Sequence, residues 1–287
     1  MSGVTAILSI QSSVAYGHVG NSAVAFPLMR MGVEVWPVNT VHFSNHTGYE
    51  TWRGPLLTAR DISEVVRGLD ERGVLSRCDA VLSGYQGRAD VAEAILAAVA
   101  LVKTRNPAAI YCCDPVIGDV DRGTFVQPGV PELIRDRVVP TAQIITPNAY
   151  ELQVLTGRKT SGLADVLAAA EAARASGPEV VLVTSVRHPQ AAPDTIDMVL
   201  LTAHGAWSVT TPNLPQAFNG AGDLTAALFL AQLLGSGDAP AALARTAGSV
   251  FGVLAATAAA GQRELQLVAA QDEIVHPSRA FSPVRLR

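Results

Sequence analysis

The residues whose types and spacing best suit chemistry are Asn219-Gly220-Ala221-Gly222-Asp223, followed at once by the apolar run Leu224-Thr225-Ala226-Ala227-Leu228-Phe229-Leu230-Ala231. Two glycines let the backbone turn tightly and approach a bound group closely. The run behind them reads as a buried helix, Asp223–Leu234. The first turn of a helix has N–H groups with no helical partner, so this turn forms an anion hole suited to phosphate. A carboxylate at its mouth is poorly placed to bind phosphate and well placed to take a proton from an attacking hydroxyl. Asp223 is therefore the candidate base, and the arrangement points to phosphoryl transfer to an alcohol. The same residues also fit a plain turn with Asp as helix cap.

Other groups of residues offer a ligand walls and charges, each with a plainer structural reading beside it. In Ser9–Ser22 a strand ends and a polar, glycine-containing loop leads into a helix. There Ser12 and Asn21 can hold a ligand's ring and hydroxyl groups, or merely cap the helix. The stretch Val41-His42-Phe43-Ser44-Asn45-His46-Thr47, with Trp52 beyond it, offers an aromatic wall and a hydroxyl to a flat ligand, or seals the core edge. His42 and His46 lack a neighbouring Cys or carboxylate cluster, which argues against a metal there. Tyr85, after Ser83-Gly84, is a second wall or part of a strand-to-helix turn. Asp114 ends a buried strand before Pro115; it can act on phosphate through Mg²⁺, or form an Asp-Pro turn. Asn148 and Glu151 share a helix face and can position Mg²⁺ waters, or form a capping box. The polar segment Gly118–Gly129 is a flap over the site or an ordinary surface loop.

These residues need elements to hold them. Candidate strands are Thr5–Ile10, Glu34–Val41, Ala80–Ser83, Ala109–Cys113, Ile144–Thr146 and Val180–Thr184, with a hairpin of Met198–Thr202 and Ala206–Thr211 through His204-Gly205. Candidate helices are Gly20–Met31, Ala59–Arg72, Ala89–Arg105, Pro131–Val138, Leu163–Ala175, Asp223–Leu234 and Ala239–Ala260. Their alternation implies an α/β fold, a mostly parallel sheet covered on both faces. Ser12, Thr47, Tyr85, Asp114 and Asn148 each follow a strand, the end at which open α/β sheets bind ligands. No repeat or low-complexity linker divides the 287 residues, so a single domain, 1–287, is expected.

Composition excludes several classes. With a net charge of −4, nothing favours nucleic acid or an anionic membrane surface. Ala226–Leu234 and Val250–Ala260 are too short or too interrupted to span a bilayer. The N-terminal strand has no basic flank, unlike a signal peptide. Cys78, Cys112 and Cys113 form no CxxC pair and fit a reducing cytoplasm. There is no GxxxxGK[ST] loop, GxSxG elbow, HExxH or GxGxxG, and the only lysines are Lys103 and Lys159.

The order of these motifs, from Ile7 to about Gln271, resembles the ribokinase-like superfamily. The stretches Tyr16-Gly17-His18-Val19-Gly20-Asn21-Ser22, Trp36-Pro37, Asn39-Thr40-Val41 and Phe43-Ser44-Asn45-His46-Thr47 narrow the resemblance to bacterial pyridoxal kinases. The resemblance implies a three-layer sandwich and ATP-dependent phosphorylation of the 5′-hydroxymethyl group of pyridoxal. Asp223 would be the base, and Gly220, Ala221 and Gly222 the anion hole. Ser12 and Thr47 would bond the pyridine's polar atoms, while Val19, Phe43 and Tyr85 would pack on its ring. Asp114 and Glu151 would act through Mg²⁺, by way of water, and the ATP phosphates, with Asn148 in support. Thr184 would lie by the nucleotide, where some relatives carry Lys. A monovalent cation and a homodimer also fit the resemblance. Pyridoxine, pyridoxamine and hydroxymethylpyrimidine are alternative substrates. A vitamer-binding protein with little catalysis should have lost Asp223 or the Gly-Ala-Gly turn, and neither is lost.

Overall fold

Runs such as Ala6–Ile10, apolar but for the buried Ser9, and the wholly apolar Val180–Val183 have the pattern of strands buried on both faces. The computed structural model describes residues 4–287. Its strands are β1 (Ala6–Val14), β2 (Glu34–Phe43), β3 (Ala80–Ser83), β4 (Ile110–Cys113), β5 (Gly118–Asp119), β6 (Gly123–Thr124), β7 (Ile144–Ile145), β8 (Val180–Val186), β9 (Thr195–Thr202), β10 (Gly205–Pro212) and β11 (Val284–Arg285). Its helices are α1 (Asn21–Arg30), α2 (Ala59–Glu71), α3 (Ala89–Arg105), α4 (Val130–Leu133), α5 (Ala149–Thr156), α6 (Leu163–Ala175), α7 (Ala221–Ser236), α8 (Ala239–Ala259) and α9 (Gln271–Val275).

One nine-stranded sheet runs in the order β11-β10-β9-β8-β7-β4-β3-β1-β2, and β5 with β6 forms a separate small hairpin. From β8 to β2 neighbours are parallel; β9, β10 and β11 add antiparallel pairs at the other edge. Alternate residues serve opposite cores. Leu8, Val81, Cys113, Ile145, Val181 and Leu201 pack with α2, α3, α5 and α6. Ile7, Leu82, Cys112, Ile144, Leu182 and Leu200 pack with α1, α7 and α8. The result is a three-layer α/β sandwich.

The expected strands and helices form, with instructive differences at their ends. β1 continues to Val14, so Ser12 lies within the strand and not in a loop beyond it. β2 extends with it to Phe43, and an irregular register between Gln11 and Ser13 leaves Ser12 outside the pairing. β8 likewise runs on to Val186, past a shift between Val183 and Val186 that holds Thr184 and Ser185. The turn of the hairpin is Ala203-His204, one residue earlier than expected. Pro131–Val138 is a short α-turn, α4, that widens into a π-helix over Ile134–Val138. α8 spans 21 residues and by length and composition alone could cross a membrane, but half of that span is buried inside the fold.

Asn21 takes neither of its two expected roles: it does not line the cavity, and no side chain caps α1, whose cap is Gly20. It is buried; its Oδ1 accepts from Ser9 Oγ (2.7 Å), and its Nδ2 donates to Val38 O (3.0 Å) and Asn39 Oδ1 (2.8 Å). It braces α1 against β1 and β2. Asn21→Ala should therefore lower stability by about 2 kcal/mol, because it strands buried polar partners. An unchanged urea midpoint would count against the brace.

Candidate active site

The parallel strands deliver their C-terminal ends to one cavity of about 510 Å³. Ser12, Val19, Phe43, Thr47, Tyr85, Asp114, Asn148, Glu151, Thr184 and Gly220 through Asp223 all line it. His46, Arg122, Thr146, Ser185 and Asn219 line it too, and sequence reasoning gave them no ligand role.

The turn at 219–223 is built by packing as well as by glycine content. Gly220, the N-cap of α7, has φ 84° and no side chain caps the helix. A Cβ on Gly220 would lie 1.9 Å from His18 O. Only glycine accepts both the left-handed backbone and that contact. Asp223 is the third residue of α7, within its first turn, and Gly220 rather than Asp223 occupies the cap position. The N–H groups of Ala221 and Gly222 precede the first helical bond, Leu224 N–H to Gly220 O (2.9 Å). They face the cavity with the positive end of the helix behind them.

Three carboxylates share this end of the sheet. Burial pushes Asp223 up to about 6, partly offset by a hydrogen bond from the Gly20 backbone. Burial likewise pushes Glu151 up to about 7, against three backbone hydrogen bonds that lower it. Asp114 is raised well above the usual range by burial, then by the Glu151 and Asp223 charges; Thr146 Oγ1 donates to it at 3.0 Å.

Asn148 and Glu151 do form the capping box of α5. Glu151 Oε1 accepts from Ile117 N–H (2.8 Å) and Gly118 N–H (3.3 Å), and Oε2 from Asn148 N–H (2.9 Å). Asn148 Nδ2 donates to Gly118 O (2.8 Å). The box thus ties the Asp-Pro segment and the β5–β6 hairpin to α5, on the cavity wall.

The aromatic wall forms as a stack of Phe43 on Trp52, centroids 4.4 Å apart. Opposite it, Arg122 pairs with Asp119 (2.7 Å) and lies over Phe125. Burial lowers the pKa of His46, and the Arg122 charge lowers it further. His42 does not line the cavity, and among the described residues no group of three His, Cys, Asp or Glu could hold a metal.

A second cavity of about 270 Å³ opens from the first across Thr184, Ser185, Phe218, Ala221 and Gly222. Ile196, Met198, Pro212, Leu214, Val250 and Phe251 make it an apolar slot. At its threshold Ser185 has φ 55°, a left-handed conformation uncommon outside glycine. That strained residue has no sequence signal. The slot's aliphatic walls, drawn from separate segments, have none either.

The phosphomethylpyrimidine kinase family model matches residues 74–267. Pyridoxal kinase PdxY of Rubrobacter xylanophilus is 57% identical over 97% of this chain and 96% of its own. Pyridoxal kinase PdxY of Leifsonia xyli is 54% identical over 98% and 99%. The chain belongs to the pyridoxal kinase family. The solved pyridoxal kinase of Leishmania donovani, in complex with ADP and pyridoxine, superposes with a TM-score of 0.92 at 28% identity, covering 98% of this chain and 99% of that one. Ribokinase-like architecture is thereby established for this kinase.

The anion hole gives this kinase a sharp test. Gly220→Ala should cost roughly 100-fold or more in turnover, the scale of losing preorganised donors. Gly237→Ala is the control: Gly237 has φ 66° at the other end of α7, with open space where a Cβ would go. It should lose only about 1 kcal/mol of stability. Equal turnover in the two variants would remove the anion hole's claim.

Proposed function

We propose that this kinase transfers the γ-phosphoryl group of ATP to the 5′-hydroxyl of pyridoxal, giving pyridoxal 5′-phosphate. The observation that carries this reading is Asp223 in the first turn of α7, lining one cavity with Ala221, Gly222 and the aromatic wall. The kinship to pyridoxal kinases at 57% identity supplies the substrate class.

Asp223 accepts the proton of the hydroxyl as its oxygen attacks the γ-phosphorus, and the bond from that phosphorus to the bridging oxygen breaks to release ADP. The Ala221 and Gly222 N–H groups hold the equatorial oxygens of the transferring group, fixed before the reaction starts. Phe43, Val19 and Tyr85 sandwich the pyridine ring, and Ser12 and Thr47 bond its polar atoms. The apolar slot takes the nucleoside, with Thr184 at the phosphate end.

Buried, like-charged Asp114 and Glu151 suit a hard divalent cation. Asp114 would hold such a cation, and Glu151, whose oxygens already accept three backbone N–H groups, would reach it through water. Mg²⁺ held there would supply neutralisation of phosphate charge. The same carboxylates suit a monovalent cation. A homodimer in the cytoplasm completes the proposal, with a single domain over 1–287; light scattering on the purified protein tests the dimer.

Hydroxymethylpyrimidine is the second substrate to assay, because the matching family model is that of phosphomethylpyrimidine kinases. Mg-ATP with pyridoxal, and with the pyrimidine in parallel, separates the two. Turnover of the pyrimidine alone would overturn the substrate and keep the mechanism.

A base works only when ionised. With Asp223 raised to about 6, kcat/KM should fall tenfold per pH unit below about 6 and level off above it. Asp223→Asn should abolish turnover while ATP still binds in calorimetry. Near wild-type turnover in that variant would end the base assignment. Phe43→Ala and Thr47→Val should raise KM for pyridoxal at least several-fold and leave KM for ATP within about twofold, since a hydrogen bond or ring contact is worth about 1 kcal/mol. Equal changes in both constants would argue against the pyridine pocket.

A further inference from the structure

Glu264 is buried, with 5% of its surface exposed, and it does not line the reaction cavity. Its carboxylate nevertheless collects donors from three segments that do the chemistry. His18 N–H donates to Oε2 (3.1 Å), from the segment that carries Val19. Tyr49 OH donates to Oε1 (3.0 Å), from the loop after Phe43 and Thr47. Asn219 Nδ2 donates to the same oxygen (2.6 Å), from the residue before Gly220.

The surrounding backbone is fitted to this arrangement. A Cβ on Gly17 (φ 88°) would lie 2.0 Å from Glu264 Oε2, so glycine there leaves room for the carboxylate. The neighbouring carbonyl, His18 O, is the one pressed against Gly220. Asn219 N–H also donates to Arg263 O (3.0 Å). Glu264 itself is fixed from behind: Leu265 and Leu267 are fully buried against Leu224 and Leu228 of α7 and Val250 and Val253 of α8. One anchored anion thus joins the substrate walls to the phosphoryl hole.

We propose that Glu264 is a positioning residue of the transfer reaction, holding the Val19 and Phe43–Thr47 walls and the Asn219-Gly220 turn in a single register. The assignment rests on the kinase reading above. Its logic is that of acceptor capacity. A carboxylate accepts from all three donors, whereas an amide in its place presents N–H₂ to His18 N–H or to the Tyr49 and Asn219 pair. Hydrogen bonds to a charged group are also the stronger kind. An alcohol displaced by an ångström from the phosphorus loses most of the benefit of being bound.

The test is steady-state kinetics on Glu264→Gln, Tyr49→Phe and their double variant, with folding checked by circular dichroism. Glu264→Gln should lower kcat/KM for pyridoxal roughly tenfold or more, through both kcat and KM, and leave KM for ATP within about twofold. Tyr49→Phe, which leaves the carboxylate in place, should raise KM for pyridoxal about threefold with little change in kcat. The double variant should be no worse than Glu264→Gln, because both act through one carboxylate.

A residue that merely stabilised the fold would lower the melting temperature and the active fraction, leaving both KM values alone. That result overturns the proposal, as does an equal rise in both KM values. If Glu264→Gln does not fold, Tyr49→Phe decides: its side chain is partly exposed, and an unchanged KM for pyridoxal sinks the clamp. Wild-type turnover is the reference throughout. A wild type inactive on pyridoxal strikes the proposed substrate, and the same variants are then read with hydroxymethylpyrimidine.

Discussion

The constraint on which this structure turns is the crowding of three carboxylates, Asp114, Glu151 and Asp223, at the buried end of one sheet. Burial opposes their charge, and each has a pKa above the ordinary range. The protein compensates them unequally. Asp223 lies in the first turn of α7, where the helix dipole favours an anion. Glu151 takes three backbone N–H bonds. Asp114 has a single Thr146 hydroxyl and two anionic neighbours. The residue with the least protein compensation is the one with most to gain from a cation. These groups hold protons in the folded state at pH values where the unfolded chain has released them. Their cost to stability is nil below the usual carboxylate range, grows as pH rises above that range, and is complete once pH has passed about 6 and 7. Function here is held at the expense of stability, on a scaffold with two full cores.

The scaffold aims side chains by interrupting its own regularity. Ser12 falls at the irregular step of β1 against β2, and Thr184 and Ser185 at that of β8 against β9. A strand in perfect register turns alternate residues into one core or the other and offers none to a ligand at its end. A bulge releases one residue from that alternation without ending the strand. Both bulges lie at carboxyl ends of strands, so the rigid sheet supplies the precision and the local fault supplies the direction.

Much of this was legible in the chain. Ala80–Ser83, Ala89–Arg105 and Leu163–Ala175 form with the bounds expected, because a strand buried on both faces is mostly apolar and Ala-rich runs favour helix. The strand ends were harder. Gln11-Ser12-Ser13 and Thr184-Ser185 are polar, and their pairing is decided by a neighbouring strand, not by their own composition. Asn21 shows the converse limit: a polar residue beside a glycine turn looks the same whether it faces a ligand or braces the core, and only its three partners tell which. Glu264 is an isolated carboxylate 45 residues past Asn219, its partner in the turn, so no local spacing marks it. The apolar slot draws on β9, β10 and α8, whose aliphatic residues read simply as core.

Charge neutralisation explains why the turn at 219–223 carries so much of the site. Neither Lys103 nor Lys159 lines the cavity, and Thr184, which does, carries no charge. Arg122, which does line it, is already paired with Asp119. Side-chain cations are therefore scarce around the transferring group, while carboxylates are plentiful. The positive potential that the protein itself supplies there is that of the N-terminus of α7. Backbone donors cannot swing into place as a lysine can, so their alignment has to be built in advance. Gly220 pressed on His18, and Asn219 drawn to Glu264, fix that alignment from two sides at once.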